Sequence, residues 1–423
     1  MLEHAHRLRS DHGLEVALVR TGPPDAAWLH ERLDGVEVLD LTAARAHRFD
    51  VAVATWWETA YELFSVDAAR YAYFVQSMED RFFPPGDIHR TLAGATHSLP
   101  VAFITEARWI ARLIRERNPA AHVFYVRNGV AKDVFTPPDR LLSSRTGPLR
   151  VLVEGHPGVW FKGVSDALAA ADTMREAHET TLVTTVPWPD GDRSRARVVG
   201  PLTRNEMAAL YAETDVVLKL SRVEGMFGPP LEGFHLGATC VVTPVTGHEE
   251  YVTHGWNGIV VGWDDRTGTA RWLDLLARDR RLLHYLRWNA LATARGWPSS
   301  KQSSQFLAAA LHRICVLPQP DVPTAMSVTL HDLRAAAVDV DLRRLALESA
   351  VEPAQAEAAA TRSRTDEIAA ELALRTVQLD ELHRTKAYRT AVAMRAVWKH
   401  PFVRILTAPV RWAYHGLRLI GRR

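Results

Sequence analysis

Apolar runs of four to six residues alternate along this chain with amphipathic stretches of ten to eighteen. The runs are LEVALV (14–19), DVAVAT (50–55), YAYFVQ (71–76), VAFIT (101–105), HVFYV (122–126), RVLVEG (150–155), TLVTTV (181–186), DVVLKL (215–220), TCVVT (239–243) and GIVVG (258–262). Short β-rich runs spaced by helical ones predict parallel strands joined by crossover helices, an α/β architecture. Ten such runs are too many for one small sheet. The stretch 136–148, TPPDRLLSSRTGP, is rich in Pro, Ser and Gly and reads as a linker. Two doubly wound, Rossmann-like domains are therefore expected, over 1–138 and 148–318. The chain opens on a helical pattern, MLEHAHRLRSDHG, with a glycine stop before its first apolar run. A doubly wound domain normally opens on a strand, so the first strand and its glycine turn are expected to be missing.

From about Leu330 the texture changes to Ala, Arg and Glu without strand signals, predicting a helical segment over 325–384 that Pro353 divides in two. Ile368, Leu372, Leu379 and Leu382 fall at coiled-coil spacing, with Arg375 interrupting the seam. Either an exposed stalk or a homodimer through 366–384 fits that pattern. The tail 385–423 mixes basic residues with Trp398, Phe402, Trp412 and Tyr414. Crossing a bilayer takes about 20 apolar residues, and the uncharged run here, Ile405 to Val410, is far shorter. A basic, aromatic amphipathic helix lies instead among lipid headgroups. Anionic membrane contact is the preferred reading of 385–423, ahead of docking onto the protein's own body and of nucleic-acid binding.

Composition adds two points. With 47% hydrophobic and 24% charged residues over 423 positions, the chain is a folded protein rather than a disordered one. The net charge of +2 hides an asymmetry, because His383 to Arg423 holds ten Lys or Arg and no Asp or Glu. Cys240 and Cys315 form no C-x-x-C pair and follow no secretory signal, so a reducing cytoplasm and a packing role for both are expected. Lysine is scarce, at positions 132, 162, 219, 301, 386 and 399. Where arginine is the habit, a retained lysine marks a place that needs a compact ammonium.

The candidate chemistry lies in SRVEGMFGPPLEGFHLGATC (221–240), where Glu224 and Glu232 flank a Gly-x-x-Gly-Pro-Pro segment. Strand DVVLKL ends just before it, and Pro229 or Pro230 is placed to open a helix that carries Glu232 in its first turn. Gly225 and Gly228 let the backbone approach a ligand, and the amides from Gly225 through Met226 and Phe227 to Gly228, with the helix mouth, favour a diphosphate. Two carboxylates beside a diphosphate repel it unless each is engaged with hydroxyl groups. The spacing thus suits a ligand that is anionic in the middle and polyhydroxylated at both ends, a nucleotide sugar. The plainer alternative is that Glu232 only caps its helix. Lys162, with Gly163, follows the first strand of the same domain, where its ammonium either reaches a phosphate across the sheet or is an ordinary surface group.

Together these residues resemble the family 4 retaining glycosyltransferases of the GT-B fold. The resemblance rests on Glu224 and Glu232, on HLGATCVVTPVTGHEEYVTHGWNGIVV after them, on the FKG element at Lys162, and on YVRNGVAKDVF with Asn128, Gly129, Val130 and Phe135. It covers roughly residues 1–315. It implies that Glu232 binds the donor ribose, that Glu224 contacts the transferred sugar, and that Lys162 with the 225–228 amides holds the diphosphate. It further implies transfer with retention, without a metal or other cofactor, to a glycan or lipid-linked acceptor in bacterial surface polysaccharide synthesis. The place of action would be the cytoplasmic face of the plasma membrane. The family usually has Gly-Arg ahead of the lysine, whereas Gly155 is followed here by His156. A second phosphate-binding cation is then absent, or supplied by Arg222 or Arg127. Segments TWWETAYEL (55–63) and YFVQSMEDRFFPPGD (73–87) resemble parts of bacterial rhamnosyltransferases, so Trp57, Gln76 and Glu79 either meet an acceptor sugar or belong to the core. Rival readings are a metal-dependent transferase using Asp190-Gly191-Asp192, a non-catalytic membrane scaffold on a degenerate transferase body, and a nucleotide-sugar epimerase.

Overall fold

The computed structural model describes residues 1–22, 35–136, 146–186, 196–318 and 321–384. The tail 385–423, the Asp190-Gly191-Asp192 triplet and most of the expected linker lie outside them. The chain forms two units, Met1–Asp341 and Leu342–Arg423.

Within the first unit every strand pairing is parallel. Strands β1 (Ala17–Arg20) and β2 (Glu37–Asp40) pair only with each other, and β3 (Arg48–Ala54), β4 (Asp67–Val75), β5 (Ala102–Thr105) and β6 (Val123–Tyr125) form a second sheet in that order. The first lobe thus carries two sheets where one doubly wound sheet is expected; a strand joining them is not among the described residues. In the second lobe β7 (Leu149–Glu154), β8 (His178–Val183), β9 (Arg197–Val199), β10 (Val216–Lys219), β11 (Thr239–Val242) and β12 (Ile259–Val260) lie in the order β12-β11-β10-β7-β8-β9.

All ten apolar runs contain a strand. The strands without a signal, β2 and β9, are short and largely uncovered, so no apolar run marks them. The central strands read as continuous apolar runs because both faces are covered. Val151, Val153, Val216, Leu218 and Val241 pack against the helices Val164–Asp172 and Arg266–Arg278. The alternate residues Leu152, Val217, Cys240 and Val242 meet Tyr211, Phe227, Leu231, Phe234 and Trp297 on the other face.

The lobes are tied by the end of the second. The 128–130 segment runs beside Pro298 and Ser299, and a Cβ on Gly129 would lie 2.4 Å from the Ser299 carbonyl oxygen. The helix Ser300–Cys315 then packs on the first lobe's sheet, where Leu307, Ala308, Ala310 and Ile314 cover Ala72, Phe74, Ala102 and Ile104. The second lobe's own core therefore stops before residue 299, short of the expected boundary at 318. Helix Leu2–His12 also lies on Ser300–Cys315.

Two expectations are corrected. Cys240 is buried but Cys315 is exposed, because it falls on the outward side of its helix. Pro353 does not divide the helical segment, since Val322–Arg384 is one helix with the proline inside it. Pro353 and Ser349, whose carbonyl the proline leaves without a helical partner, are exposed, so water can satisfy that carbonyl. In the second unit Leu342, Leu345, Ile368, Leu372 and Val377 are likewise uncovered. Among the described residues no helix is long and apolar enough to cross a membrane.

Candidate active site

From β7 the chain moves outward through β8 to β9, then returns to place β10 on the opposite side of β7. Ligands of open parallel sheets sit at the carboxyl ends of strands where the order reverses in this way, because diverging connections leave a crevice there. The carboxyl ends of β7 and β10 carry Glu154 and Lys219, and the loops after them carry Lys162 and Glu224.

Lys162 closes the short 3-10 turn Trp160–Lys162. Gly163 behind it takes φ 63°, and a Cβ there would lie 2.0 Å from the Leu220 carbonyl oxygen, so only glycine lets this turn settle onto the end of β10. The Lys162 Nζ donates to both carboxylate oxygens of Glu224, at 3.1 and 3.2 Å. Glu224 is buried, whereas the Lys162 side chain keeps 30% of its surface exposed. The Lys219 Nζ lies 2.7 Å from Glu154 Oε2 and 3.7 Å from Glu224 Oε1, and also donates to the Glu154 carbonyl at 3.3 Å. Burial alone would push the Lys219 ammonium toward neutrality, but the charges of Glu154 and Glu224 outweigh it and hold its pKa above the usual lysine range. Burial similarly opposes ionisation of Glu154, yet Lys219 keeps its pKa below normal.

Glu232 lies on the helix Gly228–His235 as its fifth residue, one position beyond the first turn expected for it. Its pKa is pushed up to about 7, first by burial and then by the Glu154 charge, against the opposing influence of Arg204, the Tyr211 hydroxyl and Lys219. Lys162 and Glu224 thus meet at the carboxyl ends of β7 and β10, and the charges of Glu154 and Lys219 there also reach Glu232.

The glycine-rich turn serves a different purpose from the expected one at Gly225. A Cβ there would fall 1.7 Å from the Gln76 carbonyl oxygen, so its bareness admits the first lobe's backbone rather than a ligand. Gly228 has open space around it. Trp109 Nε1 donates to the Gly225 carbonyl at 3.1 Å, and Ser77 Oγ to the Glu224 carbonyl at 3.3 Å. The Met226 amide donates to Glu106 Oε1 at 3.0 Å, while Asn128 Nδ2 reaches Glu106 Oε2 at 3.3 Å. Burial, with the nearby Glu224 charge, raises the Glu106 pKa to about 7 against the pull of the Met226 hydrogen bond. Further along the cleft Phe82 stacks on Phe161 at 4.8 Å, and Trp160 Nε1 donates to the Phe82 carbonyl at 3.1 Å. Phe227 is buried in the core of the second lobe.

The remaining expected residues divide. Arg222 commits its guanidinium to Asp166 and Asp264, which leaves it a poor substitute phosphate ligand. Arg127 lies over the Trp297 ring, 4.5 Å from its centre. Gln76 is half-buried at the lobe boundary, its side chain donating to the Thr55 carbonyl at 2.9 Å. Trp57 and Glu79 are corrected to core residues. Trp57 packs edge-on against Tyr61, Phe83 and His89, and Glu79, fully buried, accepts from the Trp57 amide and the Tyr73 hydroxyl at 2.6 Å each. Both donors meet the same oxygen, Oε2, and it is the complete burial of the side chain that keeps Glu79 away from a sugar. Glu154, Lys219 and Glu106 were not singled out as site residues from sequence. For Lys219 the signal is an ammonium inside the apolar run DVVLKL; for Glu106 no local pattern separates it from a surface glutamate.

Residues 148–279 match the family model described as glycosyl transferases group 1. Glycogen synthase of Mycobacterium tuberculosis, in strains CDC 1551 and H37Rv, is 27% identical over 198 residues, 41% of this chain and 47% of the synthase. The chain thus spans about half the length of these curated relatives. Among solved structures, Anabaena HepE in complex with UDP and glucose superposes with a TM-score of 0.61 at 15% identity, over 74% of this chain and 94% of that one. Sucrose-phosphate synthase from Thermosynechococcus elongatus gives 0.59 at 14% identity, over 74% and 91%. A glycosyltransferase from Rickettsia africae gives 0.56 at 12%, over 75% and 94%. The fold is that of these proteins, two α/β lobes of the GT-B type.

Proposed function

We propose that this protein is a glycosyltransferase that takes a sugar from a nucleotide-diphosphate donor bound at the β7–β10 crevice. The observation that carries the reading is the pairing of Lys162 with Glu224 at the point where the strand order reverses, with Glu232 on the helix that follows. An ammonium at the rim of that crevice can stabilise the charge that builds on a departing diphosphate, and the Gly228–His235 helix mouth adds to it. Lys162 would exchange Glu224 for the phosphates, leaving Glu224 to accept hydroxyls of the transferred sugar and Glu232 those of the ribose. The fit of UDP and glucose to Anabaena HepE, which shares the fold, supports the ligand class.

Finer features follow from the same chemistry. Glu224 is already engaged by two ammoniums, which favours the departing phosphate as base on the same face of the sugar and hence transfer with retention. Lys162 provides positive charge that a divalent ion would otherwise bring, supporting a metal-independent reaction. The basic, aromatic tail 385–423 supports a peripheral place at the inner face of the plasma membrane and a glycan or lipid-linked acceptor for a surface polysaccharide. Uncovered Ile368 and Leu372 support a homodimer through 366–384.

The test is thermal denaturation with UDP-glucose, GDP-mannose and dTDP-rhamnose, each compared with its free sugar. A ligand at 100 times its Kd adds about 2.7 kcal/mol, several degrees for a chain of this size. One nucleotide class should raise the melting temperature in the native chain and not in Glu232→Ala. No shift from any of them, or an equal shift in the variant, would overturn the assignment.

A further inference from the structure

The two ammoniums around Glu224 are not equivalent. Lys162 is partly exposed and sits on a 3-10 turn, so its side chain has room to swing. Lys219 is 2% exposed and projects from β10, a strand paired on one side with β7 and on the other with β11. The pairing of Val216 with Val151 and of Val217 with Leu152 carries forward along the two strands to set Lys219 beside Glu154, where the 2.7 Å ion pair and the bond to the Glu154 carbonyl anchor it. The chain of contacts runs Glu154, Lys219, Glu224, Lys162, two carboxylates and two ammoniums in alternation. When Lys162 turns to a diphosphate, Glu224 stays behind in a site with little water. A buried carboxylate whose only cation leaves must take up a proton or resist the departure.

Resting on the donor reading above, we infer that Lys219 is a positioning residue, the fixed counter-ion of Glu154 and Glu224, whose presence frees Lys162 to exchange Glu224 for the donor's phosphates. Lys219 itself need not touch the donor. It leaves Glu224 a cation at 3.7 Å while the mobile lysine is away, and it damps the repulsion of Glu154 against Glu232. Glu224 also acts on Tyr251 from its own lobe and on Glu106 from the other. Neither of these is a cation.

The experiment is calorimetric titration of Lys219→Met with the nucleotide sugar that shifts the native chain, in two buffers of different ionisation heat, which counts the protons exchanged on binding. Donor affinity should weaken by roughly ten-fold, and the variant should take up about one proton more than the native chain as Lys162 departs. Lys219→Met also strands Glu154 and lowers stability, so Lys219→Met/Glu154→Gln is measured beside it. The double variant removes both members of the buried pair and should recover the melting temperature, yet retain the weakened affinity and the extra proton. A lysine that only supports the fold would leave the double variant binding as the native chain does. Native affinity and native proton count in the double variant would overturn the inference while leaving the donor reading intact. A native chain that bound none of the three nucleotide sugars would overturn the donor reading and this inference with it.

Discussion

Glu79 and Glu224 are both carboxylates that follow apolar strands, yet they are given very different partners. Glu224 meets two ammoniums, whereas Glu79 meets a backbone amide and a tyrosine hydroxyl in a site closed to water. Burial raises the Glu79 pKa to about 8, and the two donors only partly oppose it. The native state therefore binds this proton more tightly than the unfolded chain, whose glutamate titrates near the ordinary 4.5. The stabilisation is complete below the unfolded pKa and is lost as pH rises through the native one, at up to about 1.4 kcal/mol per pH unit between them. Glu79→Gln, neutral throughout, should melt closer to the native chain at pH 5 than at pH 9, with the native chain losing ground as pH rises. Parallel melting curves at both pH values would show that Glu79 is ionised in the fold. Nothing local in YFVQSMEDRFF separates this buried glutamate from one facing a sugar, since both positions follow a strand among aromatic residues. The spacing of Glu224 and Glu232 around a Gly-Pro-Pro turn, by contrast, is a local property that can be read from the sequence.

Among the elements, strands covered on both faces were legible as apolar runs, and those at uncovered edges were not. The helix Val322–Arg384 shows where a local rule yields to its surroundings. A proline in a helix interior costs about 3 kcal/mol through a lost hydrogen bond and a clash with the preceding turn. Here Ala-, Glu- and Arg-rich turns on both sides favour helix, and exposure lets water take the freed carbonyl, so the helix continues with a weak point. Pro353→Ala should strengthen it, and hydrogen exchange of the amides around 349–357 should slow by roughly ten-fold or more. Unchanged exchange would mean that these turns open independently of the proline.

At the scale of the molecule, the helix Ser300–Cys315 follows the second lobe in sequence and completes the first. Leu307 and Ile314 each contribute roughly 1.5–3 kcal/mol by leaving water against the first lobe's sheet. A chain ending after Asp341 should therefore unfold cooperatively, whereas one ending after Trp297 should lose the first lobe's transition by calorimetry. Equal transitions in both would remove that helix from the first lobe's core. The lobes also meet through Gly225, Trp109 and Glu106, contacts between positions more than a hundred residues apart. The sequence by itself determined the α/β class, the strands covered on both faces and the positions of Lys162 and Glu224 just after the strands that border the β7–β10 crevice, because apolar periodicity, turn residues and short motif spacings are local in the chain. Only the tertiary structure decided which residues share that crevice. Burial of Glu79 and Trp57, the pairing of Lys219 with Glu154 and the reach of Glu106 across the cleft all depend on which strand lies beside which, and long-range packing sets that without leaving a local pattern.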